Sequence, residues 1–277
     1  MKDVSYLDIR KRGRAPEIEH RYGDNVHILA DAYLLSLLAK LCSDSTFQPE
    51  IGRLVTLLYN GLAGHILSCE FPLKVASVET RMIHYNEEGV YEGTILDPDV
   101  KTVVVDIARA GIMPSQVFFD VLNSALTPRQ VRQDHIFMNR KVDKENKVVG
   151  VDISGSKIGG DVEDAIVVIP DPMGATAGSM VSTIDIYKNQ VKGKAARFIA
   201  AHLIVTPEYI RRVKAEHPDL VVYACRLDRG LSPPDVLRTV PGTRWDEERG
   251  LNANQYIVPG TVRRTSGGES PRSSRHA

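Results

Sequence analysis

The sequence has little cysteine and no hydrophobic run long enough to cross a membrane. Its three cysteines, Cys42, Cys69 and Cys225, are odd in number and far apart. They fit neither a disulfide framework nor a zinc site, so we interpret them as buried free thiols. No stretch approaches the ~20 consecutive apolar residues of a membrane span, and the charged start of the chain lacks the apolar core of a signal peptide. These absences predict a cytoplasmic protein with no membrane partner.

An excess of charge of either sign is also missing. Lysine and arginine together number 35 among the 277 residues, and aspartate and glutamate also number 35. A chain that is 43% hydrophobic with no net charge does not belong to the disordered class. Proteins that bind nucleic acid over a whole face normally carry a cationic excess, so we expect no nucleic-acid partner. A balanced sum does not exclude a local pocket of one sign.

Changes in composition divide the chain into three parts. Residues 1–25 are polar, which predicts an N-terminal arm. Residues 26–260 carry the apolar patterns of a single domain. Residues 261–277 are rich in Ser, Arg and Gly and have no apolar periodicity, which predicts a disordered tail.

Two apolar helices and a β-hairpin arm are predicted early in the domain. The first helix covers 32–41, with Asp31 as its N-cap, and the second covers 49–67, with Pro49 at its start. Two β-prone runs then flank residues 86–89, which is the pattern of a hairpin. Burying both apolar helices requires another surface, so we expect a homodimer or a higher homo-oligomer.

From residue 101 onward, short continuous apolar runs alternate with helical patterns. This alternation is typical of an α/β protein with a mainly parallel sheet flanked by helices. Ligands bind beyond the carboxyl ends of the strands in such sheets, so the loops after 107, 138, 169 and 225 are candidate ligand sites. The segment 140–164 is interpreted as a mobile flap, a projecting hairpin or a simple surface excursion. The predicted strands cover 102–108, 135–138, 165–169, 197–205 and 220–227.

A loop of small residues follows the third of these strands and opens a helix. Asp171 comes first, and residues 174–179 then carry small side chains that let backbone N–H groups approach an anion. The hydroxyl groups of Thr176 and Ser179 are further donors to a phosphate. The pattern predicts phosphate binding, with a purely structural turn as the alternative. It is neither the Walker A pattern nor a dinucleotide-binding turn.

This loop resembles the phosphoribosyl-pyrophosphate (PRPP) loop of the type I phosphoribosyltransferases. Within that group it is most similar to the uracil phosphoribosyltransferases, whose loop reads Asp-Pro-Met-x-Ala-Thr-Gly-Gly-Ser. Only Ala177 departs, where the family has glycine. The resemblance implies the type I phosphoribosyltransferase fold, PRPP binding by the whole loop, and contacts from Asp171 to the ribose hydroxyls. The matching residues are Asp171, Pro172, Met173, Gly174, Ala175, Thr176, Ala177, Gly178 and Ser179.

Three further segments resemble this family in the same order along the chain. VVVDIARAGI places Arg109, and HIFMNRKVD places Arg140, at arginines that contact PRPP in the family. An arginine just past a strand end can give a bidentate, permanently charged contact. A surface or ion-pairing role is the alternative for each. Tyr256, Ile257 and Gly260 match the opening of the family's uracil-binding loop, in which a main-chain group at the position of Ile257 helps to hold uracil.

The resemblance implies transfer of the phosphoribosyl group from PRPP to uracil, giving UMP and pyrophosphate, a pyrimidine-salvage reaction. Asp171 and Arg109 are then the catalytic residues. Mg²⁺ is expected on the pyrophosphate rather than in a metal site of the protein, and GTP is an effector of some family members. No covalent nucleophile is required. The alternatives are an enzyme that acts on another base and a PRPP- or nucleotide-binding regulatory or weakly active homologue.

The C-terminal part departs from the family. Residues 261–265 read Thr-Val-Arg-Arg-Thr, where the family continues Gly-Leu-Gly-Asp-Ala-Gly-Asp. Either the base site is completed differently, or the tail after Gly260 has replaced the usual loop. An insertion at 232–253, which contains Trp245, is interpreted as covering the site or contacting a neighbouring subunit. The scattered histidines, His65 and His202 among them, are interpreted as structural.

Overall fold

The apolar runs and helical patterns of the sequence form one mixed sheet, one separate hairpin and six helices in the part of the chain described here. The structure is a computed structural model that describes residues 16–142 and 148–260, and of residues 139–142 and 148–152 it describes the backbone alone. The predicted tail at 261–277 and most of the predicted arm lie outside these residues. Within them, no helix combines the length and the apolar character needed to cross a membrane.

The elements follow one another in the order that the hydrophobic patterns predict from residue 101 onward. In chain order they are β1 (Val26–Ile28), α1 (Ala32–Leu41), α2 (Glu50–Glu70), β2 (Leu73–Glu79), β3 (Val90–Leu96), β4 (Thr102–Ala108), α3 (Ile112–Ala125), β5 (Val131–Val142), β6 (Val148–Lys157), β7 (Ile166–Pro170), β8 (Met173–Gly174), α4 (Gly178–Asn189), β9 (Arg197–Val205), α5 (Pro207–Glu216), β10 (Val221–Leu227) and α6 (Pro234–Leu237).

The main sheet has the strand order β1-β10-β9-β7-β4-β5-β6, and β8 pairs with β9. All pairs are parallel except β5 with β6. The central strands are buried on both faces, as their continuous apolar runs predict: Val104 packs with α1, α2 and α3, whereas Val103 and Val105 pack with α4 and α5. The predicted α/β class, a mainly parallel sheet flanked by helices, is confirmed.

The two early helices begin close to where the sequence places them. The Asp31 side chain accepts a hydrogen bond from the Leu34 N–H at 3.0 Å, so it caps α1 as predicted. The apolar residues of α2 are buried inside this chain, in the core shared with α3 and the sheet. The argument that both helices need another surface is therefore wrong for α2. On α1, Tyr33 and Leu35 stay exposed.

The predicted hairpin around residues 86–89 is present, and a second antiparallel pair of strands follows later in the chain. β2 and β3 pair antiparallel from Leu73 with Leu96 to Glu79 with Val90, and the connection between them is longer than the predicted turn at 86–89. β5 and β6 also pair antiparallel, from His135 with Lys157 to Val142 with Val148, which agrees with the hairpin alternative for the first part of the segment 140–164.

The N-terminal segment and the insertion at 232–253 pack together, which the sequence did not indicate. β1 joins the edge of the sheet beside β10. The Tyr22 ring meets the Trp245 ring edge-on at 5.0 Å, and the Tyr22 hydroxyl donates to the buried carboxylate of Glu248. The Trp245 Nε1 donates to the Pro207 carbonyl at 3.1 Å. The insertion is thus bound to its own chain through these contacts.

Candidate active site

A cleft of about 720 Å³ lies beyond the carboxyl ends of β4 and β7 and beside β5. This is the edge of the sheet at which α/β proteins bind ligands, and two of the four candidate loops, after 107 and 169, reach it. The predicted loop after 138 is wrong, because β5 continues as a strand to Val142. The C-terminal segment forms a further wall, and no residue of 232–253 is part of the lining. The lining residues are Ile107, Ala108, Arg109, Ala110, Phe137, Met138, Ser154, Asp171, Met173, Ala175, Ser179, Gln255, Tyr256 and Ile257.

The loop of small residues is held by hydrogen bonds to its carbonyl groups. The Gly174 carbonyl accepts from the Thr206 N–H at 3.0 Å, and the Ala175 carbonyl accepts from the Thr206 hydroxyl at 2.8 Å. The Thr176 carbonyl accepts from the Arg212 Nη1 at 3.1 Å. Three consecutive carbonyl groups thus have partners in the protein. The first N–H groups of α4 have no acceptor within the helix, so they can bind an anion.

Packing also explains why the loop residues are small. A Cβ on Gly174 would lie 2.9 Å from the Val205 Cγ1, which is too close for a side chain. Ala175 and Ala177 are buried. Ala177 has a left-handed backbone with φ 64°, a conformation that favours glycine. The one departure from the family pattern therefore falls where glycine would be least strained.

The predicted PRPP residues divide into two groups. Five of them line the cleft, so residues from two different strand ends meet there. These five are Arg109, Asp171, Met173, Ala175 and Ser179. The remaining loop residues belong to the turn that leads into α4 and are not in the cleft lining; they are Pro172, Gly174, Thr176, Ala177 and Gly178. The side chain of Arg140 lies outside the described residues, although its backbone continues β5.

Neutral buried groups lie directly beneath Asp171. The His202 Nδ1 donates to the Asp171 carbonyl, and the His202 Nε2 accepts from the Tyr209 hydroxyl at 2.6 Å. Burial lowers the pKa of His202 to about 4, so its imidazole is neutral at pH 7. Burial, and next the Asp171 carboxylate, raises the pKa of Tyr209 and of Tyr59. The structural role predicted for His202 is confirmed, and its hydrogen bond positions the start of the loop.

Two carboxylates, of which that of Asp228 is buried, hold the C-terminal wall of the cleft. Glu208 accepts from the Gly250 N–H at 3.0 and 3.1 Å, and Asp228 accepts from the Gly260 N–H at 2.7 Å. Burial raises the pKa of Asp228. Of the predicted uracil residues, Tyr256 and Ile257 line the cleft, whereas the Gly260 N–H is already used by Asp228.

Several lining residues were not predicted from the sequence. Phe137 and Met138 lie within β5, which continues to Val142, whereas the sequence marked only a loop after residue 138. Ser154 lies in the partner strand β6, and no sequence signal marks it. Gln255 has a left-handed backbone with φ 60°, which only the structure shows.

Together these features define the class of the protein: an α/β fold whose cleft presents a helix N-terminus, an arginine and a carboxylate, a chemistry suited to a ligand that carries phosphate. The comparisons make the class specific. The family model described as uracil phosphoribosyltransferase matches residues 28–244, which is most of the chain. The chain belongs to the uracil phosphoribosyltransferase family, a family of pentosyltransferase enzymes.

Individual relatives agree with this assignment. The chain is 29% identical over 224 residues to the uracil phosphoribosyltransferase of Dictyoglomus turgidum, covering 80% of this chain and 88% of the relative. It is 30% identical over 217 residues to the enzyme of the same name from Burkholderia mallei, covering 78% and 88%. A solved structure of a protein from Aquifex aeolicus superposes with a TM-score of 0.63 at 20% identity, covering 85% of this chain and 93% of that chain. That likeness concerns the fold alone.

Proposed function

We propose that this chain transfers the phosphoribosyl group of PRPP to uracil, giving UMP and pyrophosphate in pyrimidine salvage. The observation that carries the proposal is a single cleft in which Arg109 and Asp171 face the loop that opens α4, with Tyr256 and Ile257 on the wall beside them. Membership of the family supports both substrates. The relatives named above are described as uracil phosphoribosyltransferases, which favours uracil over a purine.

Each part of PRPP has a group of matching chemistry in the cleft. The 5′-phosphate would bind the N–H groups at the start of α4 and the Ser179 hydroxyl. The Asp171 carboxylate would accept hydrogen bonds from the ribose hydroxyls, since an ionised carboxylate is an acceptor only. Arg109 would bind the pyrophosphate through its permanently charged guanidinium, and Arg140 is proposed as a second such cation.

In the proposed reaction the bond between ribose C1 and the pyrophosphate oxygen breaks, and its electron pair leaves with the pyrophosphate. The uracil N1 forms the new bond to C1 and releases its proton to water. Positive charge develops on the sugar, where the Asp171 carboxylate lies close, and negative charge develops on the leaving group, which Arg109 stabilises. Tyr256 and Ile257 orient the base for attack.

Mg²⁺ is proposed to enter on the pyrophosphate. Among the described residues, no group of three or more His, Cys, Asp and Glu side chains is arranged to hold a metal ion. The hard carboxylate oxygens of Asp171 fit a cation that prefers oxygen ligands and keeps several of its waters. When bound, Mg²⁺ supplies positive charge that stabilises the leaving pyrophosphate.

The test combines calorimetry with PRPP and an assay of nucleotide formation with each nucleobase. We expect UMP with uracil, and Asp171→Asn and Arg109→Ala should each lower kcat/KM at least ~100-fold. Arg129→Ala is the matched control, because this exposed arginine lies at the amino end of β5, on the opposite edge of the sheet. Turnover with a purine alone would refute the proposal. PRPP binding without turnover would instead support the regulatory or weakly active homologue. Repeating the assay with GTP checks the predicted effector.

We also propose a homodimer, and we place its interface on the β2–β3 hairpin rather than on α2. The exposed fractions of Val75, Val78, Met82 and Tyr85 on this hairpin are 69, 51, 56 and 84%. Large apolar side chains exposed together are typical of an interface. Sedimentation should give twice the chain mass, and replacing Val75 and Tyr85 together by aspartate should give the monomer mass; a wild-type monomer would refute the proposal.

A cytoplasmic location is proposed as well. The thiols of Cys42, Cys69 and Cys225 are free in the structure. Burial raises the pKa of Cys42 to about 11 and that of Cys225 to about 12, which makes both thiols unreactive. Free cysteines are usual where the cell keeps thiols reduced. Localisation of a tagged chain by fractionation would check this.

A further inference from the structure

Gln255, in the wall of the cleft, combines an unfavourable backbone conformation with an unpaired polar atom. It lines the cleft next to Tyr256 and Ile257, and its backbone is left-handed with φ 60°. Its Oε1 is buried and has no hydrogen-bond partner among the described residues. A buried acceptor without a donor costs free energy, and so does a left-handed backbone at a residue other than glycine. Two such costs at one residue of a cleft indicate a ligand-binding role.

A turn centred on Asn252 positions Gln255. The Asn252 carbonyl accepts from the Gln255 N–H at 2.8 Å. The Asn252 Oδ1 accepts from the N–H groups of Asn254 and Tyr256, each at 3.0 Å. The Asn252 N–H donates to the Tyr256 carbonyl at 2.9 Å and closes the turn. The left-handed backbone of Gln255 is therefore imposed by hydrogen bonds on both sides of it.

Hydrogen bonds also attach this turn to helix α5 and to the neighbouring chain segment. The Glu208 carboxylate of α5 accepts from the Gly250 N–H at 3.0 Å and from the Leu251 N–H at 3.3 Å. The Val258 N–H donates to the Gly250 carbonyl at 2.8 Å. The Gln255 side chain is thus presented by a braced segment, which is what selective binding of a small ligand requires.

We infer that the Gln255 carboxamide turns toward the cleft when the ligand binds and recognises the pyrimidine base, with its Oε1 accepting a hydrogen bond from the base N3–H. This rests on the function proposed above. Uracil gives up its N1 proton in the reaction, so N3–H is the only ring N–H that remains. A carboxamide offers one acceptor and two N–H donors side by side, which matches N3–H and a neighbouring carbonyl oxygen of uracil. This contact would help to recognise the uracil base in a chain whose sequence after Gly260 departs from the family loop.

The test separates the contribution of the base to binding from that of the sugar phosphate. Calorimetry measures the Kd of UMP and of ribose 5-phosphate for the wild type, Gln255→Gly and Gln255→Ala. Glycine accepts φ 60° without strain, so Gln255→Gly keeps the turn. We expect the Kd of UMP to rise about three- to tenfold in both variants, while the Kd of ribose 5-phosphate stays within about twofold. Asn254→Gly is the matched control in the same turn, because the Asn254 side chain is exposed and does not line the cleft.

A modified ligand tests the N3–H contact itself. The 3-methyl derivative of UMP lacks this hydrogen, so it should bind the wild type more weakly than UMP and lose most of that disadvantage in Gln255→Gly. Equal rises in the Kd of UMP and of ribose 5-phosphate, or no rise in the Kd of UMP in either glutamine variant, would overturn the inference. UMP formation by the wild type would still support the proposed function in that case. If the wild type formed no UMP, the proposed function would fall, and this inference with it.

Discussion

The buried His202 should make the stability of this protein fall steeply in mild acid. Its side chain is fully buried, the Nδ1 donates to the Asp171 carbonyl, and the Nε2 accepts from the Tyr209 hydroxyl. A second proton would have to enter on the Nε2, which already holds the hydrogen bond from Tyr209. The folded state therefore takes up this proton much less readily than the unfolded chain.

The size of the effect follows from the two pKa values. The ordinary value of a histidine is 6.5, and burial lowers that of His202 to about 4 in the folded state. A depressed folded pKa means that the stability is fully present above pH 6.5 and is lost as the pH falls through this range toward 4. At 1.36 kcal/mol per pH unit the full loss is about 3 kcal/mol, and about 2 kcal/mol of it occurs by pH 5.

Urea unfolding at pH 7.5, 6 and 5 measures this loss for the wild type and for His202→Asn. Asparagine keeps an N–H donor for the Asp171 carbonyl and does not titrate, whereas every other acid-sensitive group is common to both proteins. The wild type should therefore lose about 2 kcal/mol more than the variant between pH 7.5 and 5. Parallel pH dependences would refute the reasoning. A titration of the His202 imidazole by NMR checks it in the wild type alone, since protonation above pH 5 would contradict the depressed pKa.

Three further changes test the loop that opens α4. Gly174→Ala should lower the free energy of unfolding by ~1–3 kcal/mol, because its Cβ would lie 2.9 Å from the Val205 Cγ1; an unchanged urea midpoint would contradict this. Ala177→Gly should change that free energy by less than ~1 kcal/mol, because relief of the left-handed backbone opposes the flexibility of unfolded glycine; a larger loss in the same assay would disprove it. Arg212→Gln should raise the Kd of PRPP roughly three- to fivefold, since Arg212 holds the Thr176 carbonyl; an unchanged Kd in calorimetry would argue against this role.

The central part of the fold could be predicted from the sequence because its signals are local. A strand buried on both faces reads as an apolar run, and the predicted strand at 102–108 coincides with β4. The cap of α1 at Asp31 is local as well. β1 has only three residues, which is too few for a pattern, and its place beside β10 depends on pairing with residues almost 200 positions away. The contacts of the insertion within its own chain could not be predicted for a similar reason, since the contact of Tyr22 with Glu248 joins distant parts of the chain.

The candidate site was predictable where a residue type carries the chemistry. Arg109, Asp171 and Ser179 follow strand ends that meet at one edge of the sheet, and all three line the cleft. What could not be predicted depends on backbone conformation. No sequence pattern predicts the left-handed backbone of Gln255, because hydrogen bonds around Asn252 impose that conformation.

The placement of charge, rather than its sum, makes this neutral chain suitable for the polyanionic substrate that we propose. Arg109 is exposed in the cleft, and Arg212 supports the loop that exposes the first N–H groups of α4. Burial keeps His202 neutral, so this histidine adds no positive charge beneath Asp171. The cleft thus presents an arginine and a carboxylate together, and this is the charge distribution that the reaction we propose would require, since breaking the bond between ribose and pyrophosphate develops charge of both signs.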